Sequence, residues 1–154
     1  MAETPAILFV CLGNICRSPM AEGTMRALAE ARGVAVEIDS AGTGNWHVGD
    51  PPDPRAIAEM ARHGVDISGL RGRQATRADF DRFDHIIALD RQNLADLKTI
   101  APQDARAELS LLLDHVEGRA GEPVADPWFG EADGFSVTYA DVRAGAEALL
   151  DKLA

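Results

Sequence analysis

Cysteine is scarce in this chain of 154 residues: Cys11 and Cys16 are the only two. Two thiols with no His pair beside them are too few for a structural zinc site, and His47, His85 and His115 show no ligand spacing, so neither metal nor cofactor is expected. Positive charge is short as well. Lys and Arg number 15 against 25 Asp and Glu, a formal net charge of -10, which argues against nucleic acid or an anionic membrane as partner. No stretch approaches the roughly 20 apolar residues of a membrane span. The start Met1-Ala2-Glu3-Thr4-Pro5 has neither the basic region nor the apolar core of a secretory leader, so a cytoplasmic location is expected. Internal repeats and low-complexity tracts are also missing.

Hydrophobic residues make up 46% of the chain, enough for a real core, and the length suits one domain over residues 1–154. Apolar, β-branched runs at Ala6–Val10, Val34–Ile38, His85–Leu89 and Ala107–Leu112 read as strands separated by helical patterns. Ala21, Thr24, Leu28 and Ala31 fall on one helical stripe that ends at Gly33. Asp53-Pro54 opens a second helix that closes near His63-Gly64, and Asp90 to Ile100 gives a third, stopped by Pro102. The last helix carries Phe135, Tyr139, Val142, Ala146, Leu149 and Leu153 at spacings of four, three, four, three and four. The alternation predicts an α/β fold: a three-layer sandwich with a four-stranded parallel sheet and helices on both faces, its ligand at the carboxyl ends of the strands.

Cys11 stands at such an end. After the strand come Leu12, Gly13, Asn14, Ile15, Cys16 and Arg17, and then Ser18-Pro19, which reads as a helix start with Ser18 as N-cap. A tight loop over a helix N-terminus aims several backbone N–H groups into one concavity, where the helix dipole adds partial positive charge. A tetrahedral oxyanion fits such a bowl. Gly13 and Asn14 are residue types that accept positive φ. The Cys11 sulfur is expected at the bottom, in surroundings that favour the nucleophilic thiolate, with the Arg17 guanidinium forking two oxygens from the rim. Ser18 is placed to donate a hydrogen bond to the sulfur.

At these residues the chain resembles the low-molecular-weight protein tyrosine phosphatases, whose signature is a Cys-x5-Arg-Ser loop near the N-terminus. The resemblance extends to Asp39-Ser40-Ala41-Gly42-Thr43, Trp46, Pro52-Asp53-Pro54-Arg55, Arg62-His63-Gly64, Ala88-Leu89-Asp90 with Asn93-Leu94, and Asp126-Pro127-Trp128-Phe129. It implies hydrolysis of phosphotyrosine and small aryl phosphates through a phosphocysteine intermediate, on phosphotyrosine-containing proteins, by a monomer that dimerises weakly at most. It also implies roles. Asp126 becomes the acid that protonates the leaving phenolate, although by itself Asp126-Pro127 reads as turn chemistry. Trp46, Trp128 and Phe129 become the walls of a slot for the substrate ring, the alternative being that the tryptophans fill core. Asn14, Ser40 and His63 become a supporting shell that braces the loop. Cys16 becomes a redox partner able to close a reversible disulfide with Cys11, or else a small buried filler. Trp128-Phe129 replaces tyrosines common in related enzymes, so phosphorylation of that loop is not available.

Three other activities compete. A thiol-dependent arsenate reductase on this fold needs cysteines outside the loop, and this chain has none. A protein-arginine phosphatase tends to have Thr where this chain has Ile15, whose apolar side chain favours an aromatic ring. A non-catalytic phosphotyrosine reader has no need of Cys11, Arg17 and Asp126 together.

Overall fold

Ala6–Cys11 is an unbroken apolar strand because it is covered on both sides, and every one of its residues is buried. Its side chains alternate. Ile7, Phe9 and Cys11 join one core cluster, and Leu8 and Val10 join another on the opposite face. The computed structural model describes residues 4–127 and 134–153. Trp128 and Phe129 lie outside the described residues.

The strands β1 (Ala6–Cys11), β2 (Glu37–Gly42), β3 (His85–Ala88) and β4 (Glu108–Leu111) form one all-parallel sheet in the order β2-β1-β3-β4. Helices α1 (Arg17–Arg32) and α5 (Gly134–Leu153) cover one face. Their residues Ala21, Met25 and Ala29, and Val142, Ala146, Leu149 and Leu150, pack on Ile7, Phe9 and Ile87. The short α3 (Asp79–Arg82), absent from the sequence reading, and α4 (Arg91–Ile100) cover the other, with Phe80 and Leu97 against Leu8, Val10 and Ile86. A third cluster joins the segment after β1 to α2 (Pro54–Ala61) and α5 through Ile15, Cys16, Met20, Ala56, Met60, Phe135 and Tyr139. The three-layer α/β architecture is therefore the expected one. Among the described residues, no helix is long and apolar enough to cross a membrane.

Two further elements differ from the sequence reading. The second strand runs over Glu37–Gly42 rather than Val34–Ile38. Gly33 ends α1 in the left-handed conformation, and the Val34 N–H turns back to the Ala29 carbonyl, so Val34 and Val36 pack against the core before pairing begins. The paired residues include Asp39, Ser40 and Gly42, too polar and small to register as an apolar run. Gly42 has to be small, since a Cβ there would stand 2.7 Å from the Leu12 carbonyl oxygen and 3.2 Å from the Asn14 nitrogen. The other difference is in α1. Its buried residues run without a break from Arg17 to Met25, while Ala31 is exposed, so the single stripe through Ala31 gives way to a first half enclosed by the sheet, α2 and α5. At the carboxyl end of β4 the chain tightens at Leu112–His115 into a 3-10 turn, with Asp114 accepting from the Leu111 N–H at 3.0 Å.

Candidate active site

The segment between β1 and α1 is closed into a bowl by bonds to its outward-facing carbonyls. Thr43 N–H donates to the Cys11 carbonyl at 2.9 Å, Gly44 N–H to Leu12 at 2.9 Å, Asp53 N–H to Ile15 at 2.8 Å and Met20 N–H to Cys16 at 3.1 Å. With the carbonyls taken up outside, the amides turn inward. Among the described residues the N–H groups of Leu12, Gly13, Ile15, Cys16, Arg17 and Ser18 have no protein acceptor, and the Asn14 N–H points at the Cys11 sulfur, 3.3 Å away. Such a ring of unpaired donors over a helix N-terminus has the chemistry to receive an oxyanion.

Ser18 is not the N-cap. Helix α1 starts two residues earlier than that reading, at Arg17; Cys16 is its N-cap residue without a side-chain bond, and Ser18 lies inside the first turn. Its hydroxyl faces Cys11 instead, with Ser18 Oγ 3.0 Å from Cys11 Sγ. Pro19 still costs nothing there, since first-turn N–H groups have no helical partner. Of the two residues expected to reach positive φ, only Asn14 does, at 58°. Gly13 answers a different need: a Cβ on it would meet the His47 ring at 3.1 Å.

Asn14 is the knot of the loop. Its Nδ2 donates to Ser18 Oγ at 2.8 Å and Ser40 Oγ at 3.0 Å, and its Oδ1 accepts from the Arg73 N–H at 3.0 Å. Ser40 Oγ in turn donates to the buried Glu22 carboxylate at 2.7 Å. These bonds hold a left-handed backbone that a non-glycine residue avoids when free. His63 is elsewhere. Its Nε2 lies 2.8 Å from Glu59 and its ring stacks on Tyr139 at 3.6 Å, so among the described residues it reaches the loop through the cluster that Tyr139 shares with Ile15 and Cys16.

Arg17 is buried, 3% exposed, rather than reaching in from a rim. Its Nη1 donates to Asp90 Oδ2 at 2.7 Å and to the Val124 carbonyl at 3.0 Å, and Nη2 lies 3.6 Å from Asp126 Oδ2. Burial works against the Arg17 charge, but the Cys11 sulfur and Asp90 outweigh it and hold the guanidinium above its ordinary range. Burial pushes the Cys16 thiol up, and the neighbouring Asp53 carboxylate and Cys11 sulfur push it further, so Cys16 stays protonated at neutral pH.

These groups surround a cavity of about 160 Å³ lined by Cys11, Leu12, Gly13, Ile15, Cys16, Arg17, Trp46, His47 and Asp126. Trp46 is 69% exposed and stands at this cavity, not in the core. Several participants carried no signal of their own in the sequence. Asp90 was legible as a helix start, and its place just beyond the carboxyl end of β3 could have marked it as a site residue. Glu22, Arg73, His47 and the Val124 carbonyl arrive from distant segments. Among the described residues no cluster of His, Cys, Asp or Glu is grouped to hold a metal ion.

Comparison with known proteins agrees with this geometry. Residues 6–154 match the family model described as low molecular weight phosphotyrosine protein phosphatase. The chain is 41% identical over 142 residues to the low molecular weight phosphotyrosine protein phosphatase of Schizosaccharomyces pombe, with 90% of each chain covered. It superposes on the crystal structure of YfkJ from Bacillus subtilis with a TM-score of 0.91 at 38% identity, covering 99% of this chain and 96% of that one. A Drosophila arginine phosphatase structure gives a TM-score of 0.90 at 32% identity, with 96% of each chain covered.

Proposed function

The chain belongs to the low molecular weight phosphotyrosine protein phosphatase family and is a protein tyrosine phosphatase, a hydrolase; on that premise we propose which of its residues carry the reaction. Cys11 Sγ attacks phosphorus in line and forms a phosphocysteine. The N–H groups of Leu12, Gly13, Ile15, Cys16, Arg17 and Ser18, together with the edge of the Arg17 guanidinium that Asp90 does not hold, bind the equatorial oxygens, which gives electrostatic stabilisation where charge develops. Asp126 protonates the departing phenolate and then draws a proton from the water that cleaves the thiophosphate bond. Ser18, 3.0 Å from the sulfur, donates to it and eases its departure in the second step. Trp46 packs on the substrate ring, with Trp128 and Phe129 assigned to the same slot. Ser40 and Asn14 keep the loop in shape, and His63 supports it at one remove. Cys16 is assigned the second role of condensing with a Cys11 sulfenic acid, forming a disulfide and releasing water.

The observation that carries this reading is the ring of unpaired N–H donors around a buried cysteine sulfur and a clamped guanidinium. The reading treats residues 1–154 as one domain working in the cytoplasm on phosphotyrosine-containing proteins, as a monomer that dimerises weakly at most. The net charge of -10 supports a protein substrate over nucleic acid or an anionic membrane. Release of phosphate from p-nitrophenyl phosphate, inhibited by vanadate, tests it. Cys11→Ser is expected to abolish turnover while still binding vanadate, and turnover by that variant would remove Cys11 from its role.

The Drosophila arginine phosphatase among the structural neighbours keeps a second substrate in view. Here the cavity is walled by Ile15, Leu12 and Trp46, apolar surfaces that suit a phenyl ring better than a guanidinium. Phosphoarginine and phosphotyrosine peptides assayed side by side decide between the two.

A further inference from the structure

A second cavity, of about 300 Å³, adjoins the first. Leu12 and Trp46 line both cavities, one on either side of the ridge they form. Beyond that ridge the second cavity is bounded by Thr43, Gly44, Gln74 and Ala75 and, from the carboxyl end of α4, by Asp96, Thr99 and Ile100.

Its chemistry is mixed in a particular way. Leu12, Trp46 and Ile100 are three of the large apolar side chains the protein leaves exposed, and all three line this groove. Asp96 is the charged residue on its lining. Gln92 donates to Asp96 Oδ1 at 2.9 Å, and no cation pairs with Asp96 among the described residues. The Thr43 hydroxyl oxygen is buried and has no hydrogen-bond partner. A purely aliphatic guest would leave Asp96 unanswered, and an acidic guest would face Asp96 and the net charge of -10. A long side chain with an apolar stem and a cationic end matches the apolar walls and the charge together: stem on Leu12 and Ile100, cation against Asp96 and over the Trp46 face.

We infer that this groove selects substrates with Lys or Arg flanking the phosphotyrosine, the basic side chain lying beyond the Leu12–Trp46 ridge while the phosphorylated ring occupies the catalytic cavity. The inference rests on the phosphatase reading above and adds a substrate class to it. It also gives the net charge of -10 a use, as a steering field for basic segments.

The test uses the full-length protein and phosphotyrosine peptides that differ only at the two flanking positions, which carry Lys, Ala or Glu, with p-nitrophenyl phosphate as a substrate that cannot reach the groove. The expected order of kcat/KM is Lys above Ala above Glu, with the Lys:Ala ratio roughly three- to tenfold at low salt and compressed at high salt. Asp96→Asn should bring that ratio close to one and leave p-nitrophenyl phosphate hydrolysis unchanged. Equal rates on Lys and Ala peptides, or a ratio that Asp96→Asn does not move, would overturn the groove while aryl phosphate hydrolysis left the phosphatase reading standing. Loss of both substrates in the unmodified protein would instead overturn that reading, and the groove with it.

Discussion

One carboxylate, Asp90, holds Arg17 with one oxygen and the first turn of α4 with the other: Oδ2 lies 2.7 Å from Arg17 Nη1 and Oδ1 2.7 Å from the Asn93 N–H. A guanidinium this buried needs a fixed counter-charge, and the counter-charge is itself fixed by capping a helix.

The two duties separate by substitution. Asp90→Asn keeps a good cap but takes the nearest counter-charge from the buried guanidinium, so stability should fall and kcat/KM should drop by up to about 10²-fold through misplacement of Arg17. Asp90→Ala loses the cap as well, and its Tm should drop by roughly 2–4 °C more. Thermal unfolding and steady-state kinetics on both variants check this; equal Tm values would deny Asp90 its capping role.

Asp126 lies at the cavity 3.6 Å from Arg17. Asp126→Asn should slow hydrolysis of phenyl phosphate by roughly 10²–10⁴. The loss should shrink as the phenol becomes more acidic, because a better leaving group needs less help from a proton. A loss that is uniform across a series of substituted aryl phosphates would point to a positioning role.

Asn14 combines left-handed backbone with three side-chain bonds. Glycine removes the bonds but tolerates the backbone, whereas alanine removes the bonds and resists the backbone. Both variants should lose activity, and Asn14→Ala should be the less stable by about 1–2 kcal/mol in urea unfolding. The reverse order would mean that the loop relaxes out of the left-handed conformation.

Glu59 on α2 accepts from Ser136 of α5 at 2.7 Å and lies 2.8 Å from His63 Nε2. Burial alone would raise its carboxyl, but the bonds from Ser136 and His63 and the charges of Arg62 and His63 outweigh burial and hold it below its ordinary range. A carboxylate depressed on folding contributes fully above the unfolded value near pH 4.3 and loses that contribution as pH falls through the lower folded value. Glu59→Gln should therefore be less stable than the parent at pH 7, and the gap in urea midpoint should close below about pH 4. A gap that persists unchanged at pH 3 would trace the effect to shape rather than charge.

What was legible in the chain was what is local. Strand, loop and helix from Ala6 onward are contiguous, so their apolar run and the loop that follows announce the bowl and the place of Cys11 in it, and the spacing of Val142, Ala146 and Leu149 places α5 on the sheet, while Phe135 and Tyr139 on the same helix pack against α2 and the loop. The second strand was misplaced because closeness to the loop forces Ser40 and Gly42 into it, and those residues erase the hydrophobic signal. Ser18 read as a cap because capping is its commonest local duty, while its actual neighbours are a sulfur and an amide. The clamp of Asp90 on Arg17 and the bond from Arg73 to Asn14 span 73 and 59 residues, and no pattern along one segment records such pairings.

The convergence of bonds on the Asn14 amide has a thermodynamic corollary. A host that is already assembled spends little of a guest's binding free energy on ordering itself, so inorganic phosphate or vanadate should protect the whole fold against heat in proportion to how tightly it is held. Resistance to unfolding and affinity for tetrahedral anions then share one set of atoms, and damage to that set registers in both.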